Sequence, residues 1–259
     1  MCIIAYKPSG VEFFEKEILE NCFVNNPHGA GYAIKRKASR FVEYKKGFFT
    51  FSELYAALMA EDIAVEDELA IHCRIATNGA TIAKNCHPFF LTEDEKSAYS
   101  TAGTCKSVLF HNGVLSKKYS SDKAVSDTYL FTLALARREK ALIAQKTLKN
   151  FIERETEGSR ILYFAEHGTI LTGKWEQDNG YFFSNLSYLS YEDRYSALYN
   201  DNYPYYNWNS YGTKCPICGG REATRIAEFY DLQECPDCGA LFDSYGREIE
   251  IYYKEAGRI

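Results

Sequence analysis

The chain has 259 residues, of which 46% are hydrophobic and 25% charged, and its formal net charge is −5. This length predicts one large domain with a small one, or two modest domains, in a globular protein. The negative charge argues against a general attraction to nucleic acid or anionic membranes. No apolar run approaches a membrane span and no signal peptide is recognisable, so we expect a cytoplasmic protein that does not bind membranes.

Nine cysteines are present, four in two tight pairs near the C-terminus and five within the first 105 residues. In a cytosolic chain this distribution predicts reduced thiols and a metal site rather than a disulfide framework.

Strand and helix patterns are mixed along the first three quarters of the chain. Apolar runs and alternation predict strands at 2–6, 69–77, 107–113 and 180–185, and hairpins formed by 31–36 with 40–47 and within 159–175. Helical spacing and capping signals predict helices at 11–22, 50–61, 126–145 and 146–156. Thr50, with Glu53 three residues later, has the pattern of a capping box. Because strands and helices do not alternate regularly, the order favours an α+β fold over a doubly wound sheet.

The segment from Tyr188 to Tyr211 differs in composition, with eight tyrosines and four asparagines in 24 residues. We interpret it as a linker, or as an ordered loop packed by its tyrosines. Stacking on single-stranded nucleic acid would need a basic groove, and Arg194 is the one Lys or Arg in the segment. The predicted organisation is a domain at 2–187, a linker at 188–212 and a small domain at 213–259.

The small domain carries two matched motifs, CPICGG and CPDCGA, whose cysteine pairs are separated by 16 residues. This spacing predicts a closed, structural zinc site, because two residues between thiolates let both reach one tetrahedral ion. A redox function is the alternative for a single C-x-x-C pair, but two pairs with matched flanks argue against it. The predicted ligands are Cys215, Cys218, Cys235 and Cys238. Six Lys/Arg against nine Asp/Glu in 213–259 argue against a phosphate-binding ribbon and favour a docking or structural role.

Five short stretches of the large domain are unremarkable when taken singly. They are MC at the start, PHGAGYAI at 27–34, HCRIATNG at 72–79 with NCHPF at 85–89, FHNGVL at 110–115 and SDT at 126–128. Alone, Cys2 would be a small buried hydrophobe, Asn112–Gly113 a turn and Asp127 a helix cap. In this order and spacing they resemble the class II glutamine amidotransferase domain, a member of the N-terminal-nucleophile hydrolases. The resemblance covers roughly residues 2–187 and implies a four-layer αββα sandwich, followed here by the zinc ribbon.

The resemblance also implies a role for each matching residue. Met1 would be removed, Cys2 would attack the side-chain amide of glutamine, and its freed α-amine would be the general base. Asn112 and the backbone N–H of Gly113 would form the oxyanion hole. Arg74 would bind the α-carboxylate of glutamine and Asp127 its α-ammonium group. The remaining implied pocket residues are Thr77, Asn78 and Gly29.

Some positions depart from the family pattern, and they bear on the pocket. Ile3, His28, Ile75 and Asn78 stand where the family usually has Gly, Arg, Trp and His. We expect the other histidines of these motifs, His72, His87 and His111, to orient loops or fill the core, and Cys22, Cys73, Cys86 and Cys105 to be inert thiols.

The resulting hypothesis is an enzyme, a glutaminase that releases ammonia through a cysteine thioester and supplies an acceptor enzyme in trans. No synthase domain is recognisable after the glutaminase-like part, so the ribbon would dock the acceptor protein. Two alternatives remain open at the level of sequence. One is another N-terminal-nucleophile amidase, and the other is a non-catalytic binding or scaffold protein that kept the pocket.

Overall fold

A computed structural model describes residues 2–76, 80–94, 99–115, 119, 126–139, 145–166, 168–190 and 193–194, together with three short strands near the C-terminus. The chain divides into two units, Met1–Leu198 and Tyr199–Ile259. In the second unit the strands β12 (Thr224–Arg225), β13 (Gln233–Glu234) and β14 (Leu241–Phe242) pair antiparallel in that order. The four predicted zinc ligands lie outside the described residues, as does most of the predicted linker, so both stay predictions.

The first unit contains two antiparallel sheets. The larger has the strand order β10-β11-β1-β4-β2-β3-β6 and the smaller the order β5-β7-β8-β9. The larger sheet is formed by β1 (Ile3–Lys7), β2 (Ala30–Lys35), β3 (Val42–Phe48), β4 (Glu68–Cys73), β6 (Ala102–Cys105), β10 (Glu176–Asp178) and β11 (Tyr181–Phe183). The smaller sheet is formed by β5 (Phe89–Phe90), β7 (Ser107–Asn112), β8 (Arg160–Ala165) and β9 (Gly168–Thr172). Every described strand pair is antiparallel, which agrees with the mixed α+β class predicted from the order of elements.

Three apolar clusters show how these sheets and the helices α1 (Lys16–Val24), α2 (Phe51–Met59), α3 (Asp127–Glu139) and α4 (Gln145–Glu155) are layered. One cluster packs α1 and α2 on the outer face of the larger sheet. A second joins the two sheets through side chains such as Ile4, Ala70, Phe110 and Leu162. A third packs α3 and α4 on the outer face of the smaller sheet. The order of layers is therefore helices, sheet, sheet, helices.

Strand β1 lies in the interior of the larger sheet, between β11 and β4. All five of its residues are buried, which confirms the prediction from its continuous apolar run. Ile3 faces the α1 and α2 cluster and Ile4 faces the other sheet, so each face of the strand has its own core. This double burial holds the N-terminal end of the chain in place.

Two helix predictions are informative. The capping box at Thr50 and Glu53 is confirmed, with both reciprocal hydrogen bonds present at the start of α2. The prediction that a helix begins at residue 11 was wrong, because α1 begins at Lys16. Phe14 precedes the helix. Its side chain is buried and stacks on Tyr181 with ring centroids 4.6 Å apart, so it packs in the core without being helical.

Within the described part of the chain, no helix has the length and apolar character needed to cross a membrane.

Candidate active site

At one end of the space between the two sheets, the inward-facing side chains change from apolar to polar. Side chains alternate between the two faces of a strand, so residues two apart share a face. Beyond the apolar inner core, this alternation places three polar side chains from three strands at the same end: Lys46 after Tyr44, His72 after Ala70 and Asn112 after Phe110. Cys2, two residues before Ile4, lies at this end immediately before β1. We describe this polar end as the candidate site.

Cys2 lies half-buried immediately before β1. Its Sγ atom accepts a hydrogen bond from the backbone N–H of Ile75 at 3.3 Å and lies 3.4 Å from the Ile75 carbonyl oxygen. Burial raises the pKa of the Cys2 thiol, although the Ile75 backbone and the charge of Arg74 act in the opposite direction. The thiol is therefore protonated at neutral pH, and attack on a carbonyl carbon would require a nearby base.

Arg74 directly follows β4 and is almost fully buried, with 4% of its surface exposed. Its backbone pairs with the 28–29 loop, since Arg74 N–H donates to Gly29 O and His28 N–H donates to Arg74 O, both at 2.9 Å. Its side-chain Nη1 donates to Ala80 O at 3.1 Å. The structure thus brings Arg74 next to the backbone that Cys2 contacts, and places Gly29 in the adjacent loop.

Gly29 has little space for a side chain. Its φ is +111°, a conformation that favours glycine, and an added Cβ would lie 2.6 Å from Cys86 Sγ. The neighbouring His28 accepts a hydrogen bond at Nδ1 from the backbone N–H of Ala76 at 2.9 Å. The sequence singled out this loop, and the structure places it against the segment that follows β4.

Asn112 is the last residue of β7 in the smaller sheet, and Gly113 directly follows it. The Asn112 side chain is buried, and its Nδ2 donates to Ser184 Oγ at 2.8 Å. Gly113 has a φ of +150°, and a Cβ at this position would lie 2.9 Å from Ser159 Cα. Glycine suits this position because Ser159, directly before β8, lies too close for a side chain.

Asp127 begins α3 and binds backbone groups on both sides of a turn. Its carboxylate accepts from Leu115 N–H at 3.2 Å and from Thr128 N–H at 2.7 Å. Thr128 Oγ1 in turn lies 2.8 Å from His111 Nδ1, and His111 Nε2 lies 3.1 Å from Ser159 Oγ. His111 and Asp127 therefore tie the start of α3 to the turn at Gly113. Thr77 and Asn78 lie outside the described residues, so their predicted pocket roles stay predictions.

Lys46 is a functional candidate that the sequence reasoning missed. It is buried, lies 4.3 Å from the centroid of the Phe89 ring and donates to Lys84 O at 3.2 Å. Burial lowers its pKa from 10.5 to about 8. The burial of Lys46 could be predicted from the sequence. Alternation along the strand puts Lys46 on the same inner face as the core residues Val42 and Tyr44.

His72 and His87 stack beside this lysine, with ring centroids 4.0 Å apart. Both rings are buried, and none of their four nitrogen atoms has a hydrogen-bond partner among the described residues. Burial is the main cause that lowers the pKa of His72 to about 3 and that of His87 well below its usual value, with Arg74 adding to both shifts. Both imidazoles are thus neutral at neutral pH, in agreement with the expectation that they fill the core.

We expect the free energy of unfolding to fall as the pH is lowered from 6.5 toward 3. In this window the unfolded chain protonates His72 while the folded chain keeps it neutral, so acid favours the unfolded state. Urea unfolding at pH 4.5 and 7 measures the change. His72→Gln should make the dependence shallower by up to about 1.4 kcal/mol per pH unit, and an unchanged slope would contradict the assignment.

No group of three or more His, Cys, Asp or Glu side chains that could hold a metal ion occurs among the described residues. The candidate site and its neighbour Arg74 supply thiol, amine, amide, imidazole and guanidinium groups, which suit nucleophilic and acid–base chemistry.

The chain is similar to a number of solved structures, including the two that are described next. No protein-family model matches the chain, and no curated protein matches it in sequence. A glutamine phosphoribosylpyrophosphate amidotransferase from B. subtilis, in complex with ADP and GMP, aligns with a TM-score of 0.46 and 15% identity. A structure described as the allosteric regulatory enzyme of purine biosynthesis aligns with a TM-score of 0.45 and 16% identity. Each alignment covers 71% of this chain and 41% of the neighbour, so this chain spans about two fifths of either protein.

Proposed function

We propose that the first unit is a glutamine amidohydrolase whose nucleophile is the thiol of Cys2. One observation carries the proposal: a half-buried cysteine next to the chain start lies at the same end of the sandwich as Arg74 and Asn112. These groups come from segments far apart in sequence, and each has the chemistry that its role would need. A nucleophile, a carboxylate-binding cation and an amide donor at one site suit acyl transfer from an amino-acid amide.

In the proposed reaction, Cys2 Sγ attacks the side-chain amide carbon of glutamine while its thiol proton passes to the α-amine. That amine exists only if Met1 has been removed. Negative charge that develops on the carbonyl oxygen would be stabilised by Asn112 Nδ2 and the N–H of Gly113. Collapse of the tetrahedral intermediate breaks the C–N bond, and the leaving nitrogen takes the proton back and departs as ammonia. Water then hydrolyses the thioester to glutamate and restores the thiol.

The electrostatics of Cys2 fit a mechanism that depends on a base. Burial raises the thiol pKa, so few molecules carry a thiolate before substrate binds. An α-amine titrates at about 7.7–8.0, close to the pH at which a general base works best. The amine belongs to the same residue as the thiol, so it is held within reach without any further residue.

Recognition of the amino-acid part of glutamine is assigned to Arg74 and Asp127. The planar guanidinium of Arg74 can form two parallel hydrogen bonds to a carboxylate, and its burial strengthens them. Asp127 supplies a carboxylate for the α-ammonium group at the turn that follows Gly113. The test of the whole proposal is glutamate and ammonia release from glutamine by the purified protein, compared with Cys2→Ala. Undiminished release in the variant would exclude this nucleophile.

We further propose that the second unit binds one zinc ion through Cys215, Cys218, Cys235 and Cys238. Four thiolates at this spacing are the donor set of a structural zinc ribbon, and the ion would supply folding energy to a segment too short for a large core. The ribbon would dock the protein that consumes the ammonia. Affinity purification of the full chain, with and without the four cysteines, would identify such a partner by mass spectrometry.

We expect about one zinc per chain by elemental analysis of the purified protein, because a four-thiolate site retains its metal at neutral pH. The double variant Cys235→Ser with Cys238→Ser should lose the zinc. A matched variant, Cys73→Ser with Cys105→Ser, removes two thiols of the first unit and should retain it. Zinc that persists in the first variant would contradict the ligand assignment.

A further inference from the structure

The dipeptide Ser184–Asn185 directly follows β11 and contacts both halves of the candidate site. Ser184 is almost completely buried, with 1% of its surface exposed, and it packs between the two sheets. Asn185 lies beside the chain start. Neither residue belongs to the motifs that suggested an amidotransferase, and their partners are more than 70 positions away in sequence.

Ser184 joins the strand that follows the nucleophile to the strand that carries Asn112. Its Oγ accepts one hydrogen bond from the backbone N–H of Ile4 and one from Asn112 Nδ2, both at 2.8 Å. Its own N–H donates to Ile4 O at 2.9 Å. Ile4 lies on β1 of the larger sheet and Asn112 on β7 of the smaller sheet, so one hydroxyl bridges the two sheets at the site.

The contact with Ser184 also fixes the direction of the Asn112 amide. The amide nitrogen has two N–H groups, and the one that donates to Ser184 leaves the second for another acceptor. Ser184 Oγ also accepts from Ile4 N–H, so the hydroxyl that the amide nitrogen contacts is itself held by the backbone of β1. Because Asn112 is buried, an amide without its partner would lose the favourable orientation.

Asn185 contacts the residue that carries the nucleophile, Cys2. Its Nδ2 donates to the carbonyl oxygen of Cys2 at 2.6 Å, and its Oδ1 accepts from Ser187 N–H at 2.9 Å. The second contact determines which end of the amide faces Cys2. Holding the Cys2 carbonyl restricts rotation of this first peptide group, and so limits where the thiol and the α-amine of Cys2 can point.

We propose that Ser184 and Asn185 are positioning residues that align the Cys2 nucleophile with the Asn112 oxyanion donor. The inference rests on the proposed function, because it assigns both residues to the glutaminase reaction. They touch no reacting atom themselves. Ser184 acts through Asn112 and Asn185 acts through Cys2. Small errors in such alignment have large effects on rate, since a displacement of about 1 Å can cost about 100-fold.

A double-mutant cycle tests the role of Ser184. Ser184→Ala should lower kcat for glutamine by about 10- to 100-fold and leave KM within about twofold, because Arg74 and Asp127 are unchanged. Asn112→Ala should lower kcat by about 100- to 1,000-fold. In the double variant, loss of Ser184 should cost at most about threefold more, because its partner is already absent. Ser107→Ala removes another buried serine, five residues before Asn112 on the same strand, and should leave kcat unchanged.

Two results would overturn the inference for Ser184: full additivity of the two losses, or an equal loss in Ser107→Ala. A wild-type protein without glutaminase activity would instead refute the proposed function, so the two failures are distinguishable. Asn185→Leu gives a readout independent of turnover, because it removes the donor to Cys2 and adds no charge beside the thiol. We expect iodoacetamide to alkylate Cys2 several-fold more slowly in this variant at pH 7.5, measured by peptide mass spectrometry. An unchanged rate would overturn the role of Asn185.

Discussion

Replacing Cys2 with alanine should reduce glutamine hydrolysis by about 10⁴-fold or more, to the level of the uncatalysed background. The variant removes the only sulfur that the structure places against the Ile75 backbone beside Arg74, among the described residues. A second thiol, that of Cys86, lies beside Gly29, but it is fully buried and burial raises its pKa, so it is a poor nucleophile. Glutamate release, followed with a coupled dehydrogenase, measures the loss.

Two controls separate chemistry from structure in this experiment. Cys105→Ala removes a thiol of similar partial exposure on β6 and should retain wild-type activity. Cys2→Ser keeps the α-amine and nearly the same shape, but should remain at least about 10³-fold impaired because a hydroxyl is the weaker nucleophile. Activity within tenfold of wild type in Cys2→Ala would contradict the mechanism. Intact mass must also show that Met1 is absent, because a retained Met1 leaves no α-amine on Cys2 and favours a binding role.

Replacing Arg74 with methionine should lower kcat/KM for glutamine by about 100-fold, mainly through KM. A charge-assisted pair with the α-carboxylate contributes about 1.5–3 kcal/mol, and burial places Arg74 toward the upper part of that range. Arg74→Lys keeps the charge and loses the planar fork, so an intermediate loss of about tenfold is expected. Steady-state kinetics on the three proteins measure these differences.

A second substrate tests whether Arg74 acts by binding the α-carboxylate of glutamine. Glutaminamide lacks the α-carboxylate but keeps the side-chain amide, so wild type and Arg74→Met should hydrolyse it at rates within about threefold of each other. An equal loss on both substrates would contradict carboxylate binding and indicate a structural role. Arg74 also donates to Ala80 O, so thermal unfolding must show that the variant remains folded.

Much of the first unit could be predicted because its signals are local. The double burial of β1 follows from five consecutive residues that suit the interior, and the start of α2 follows from Thr50 and Glu53. The turn after β7 follows from Asn112–Gly113. These predictions depend on period and capping, which neighbouring residues determine without reference to the rest of the fold. The start of α1 was placed too early, because Val11 and Phe14 fit a helical period but pack from a segment that precedes the helix.

The contacts that hold the candidate site together join residues that are far apart in sequence. A local sequence pattern therefore cannot predict them. Ser184 lies 72 residues from Asn112, and Asn185 lies 183 residues from Cys2. Their pairing requires the register of β11 on β1 and the stacking of the two sheets, which only packing of the whole unit determines. The burial of Lys46 could be anticipated from alternation, but its contact with Phe89 depends on the second sheet.

The sequence by itself determined which chemical groups this protein brings: a cysteine after Met1, an arginine, an Asn–Gly turn, and four thiols at zinc-ribbon spacing. The mixed order of its strand and helix patterns also predicted the α+β class. Only the tertiary structure decided that a serine outside every motif, Ser184, joins Ile4 of the strand after Cys2 to Asn112 of the other sheet. The reason is physical, since alternation assigns a side chain to a face of its sheet, whereas the position of that face relative to another sheet depends on how both pack.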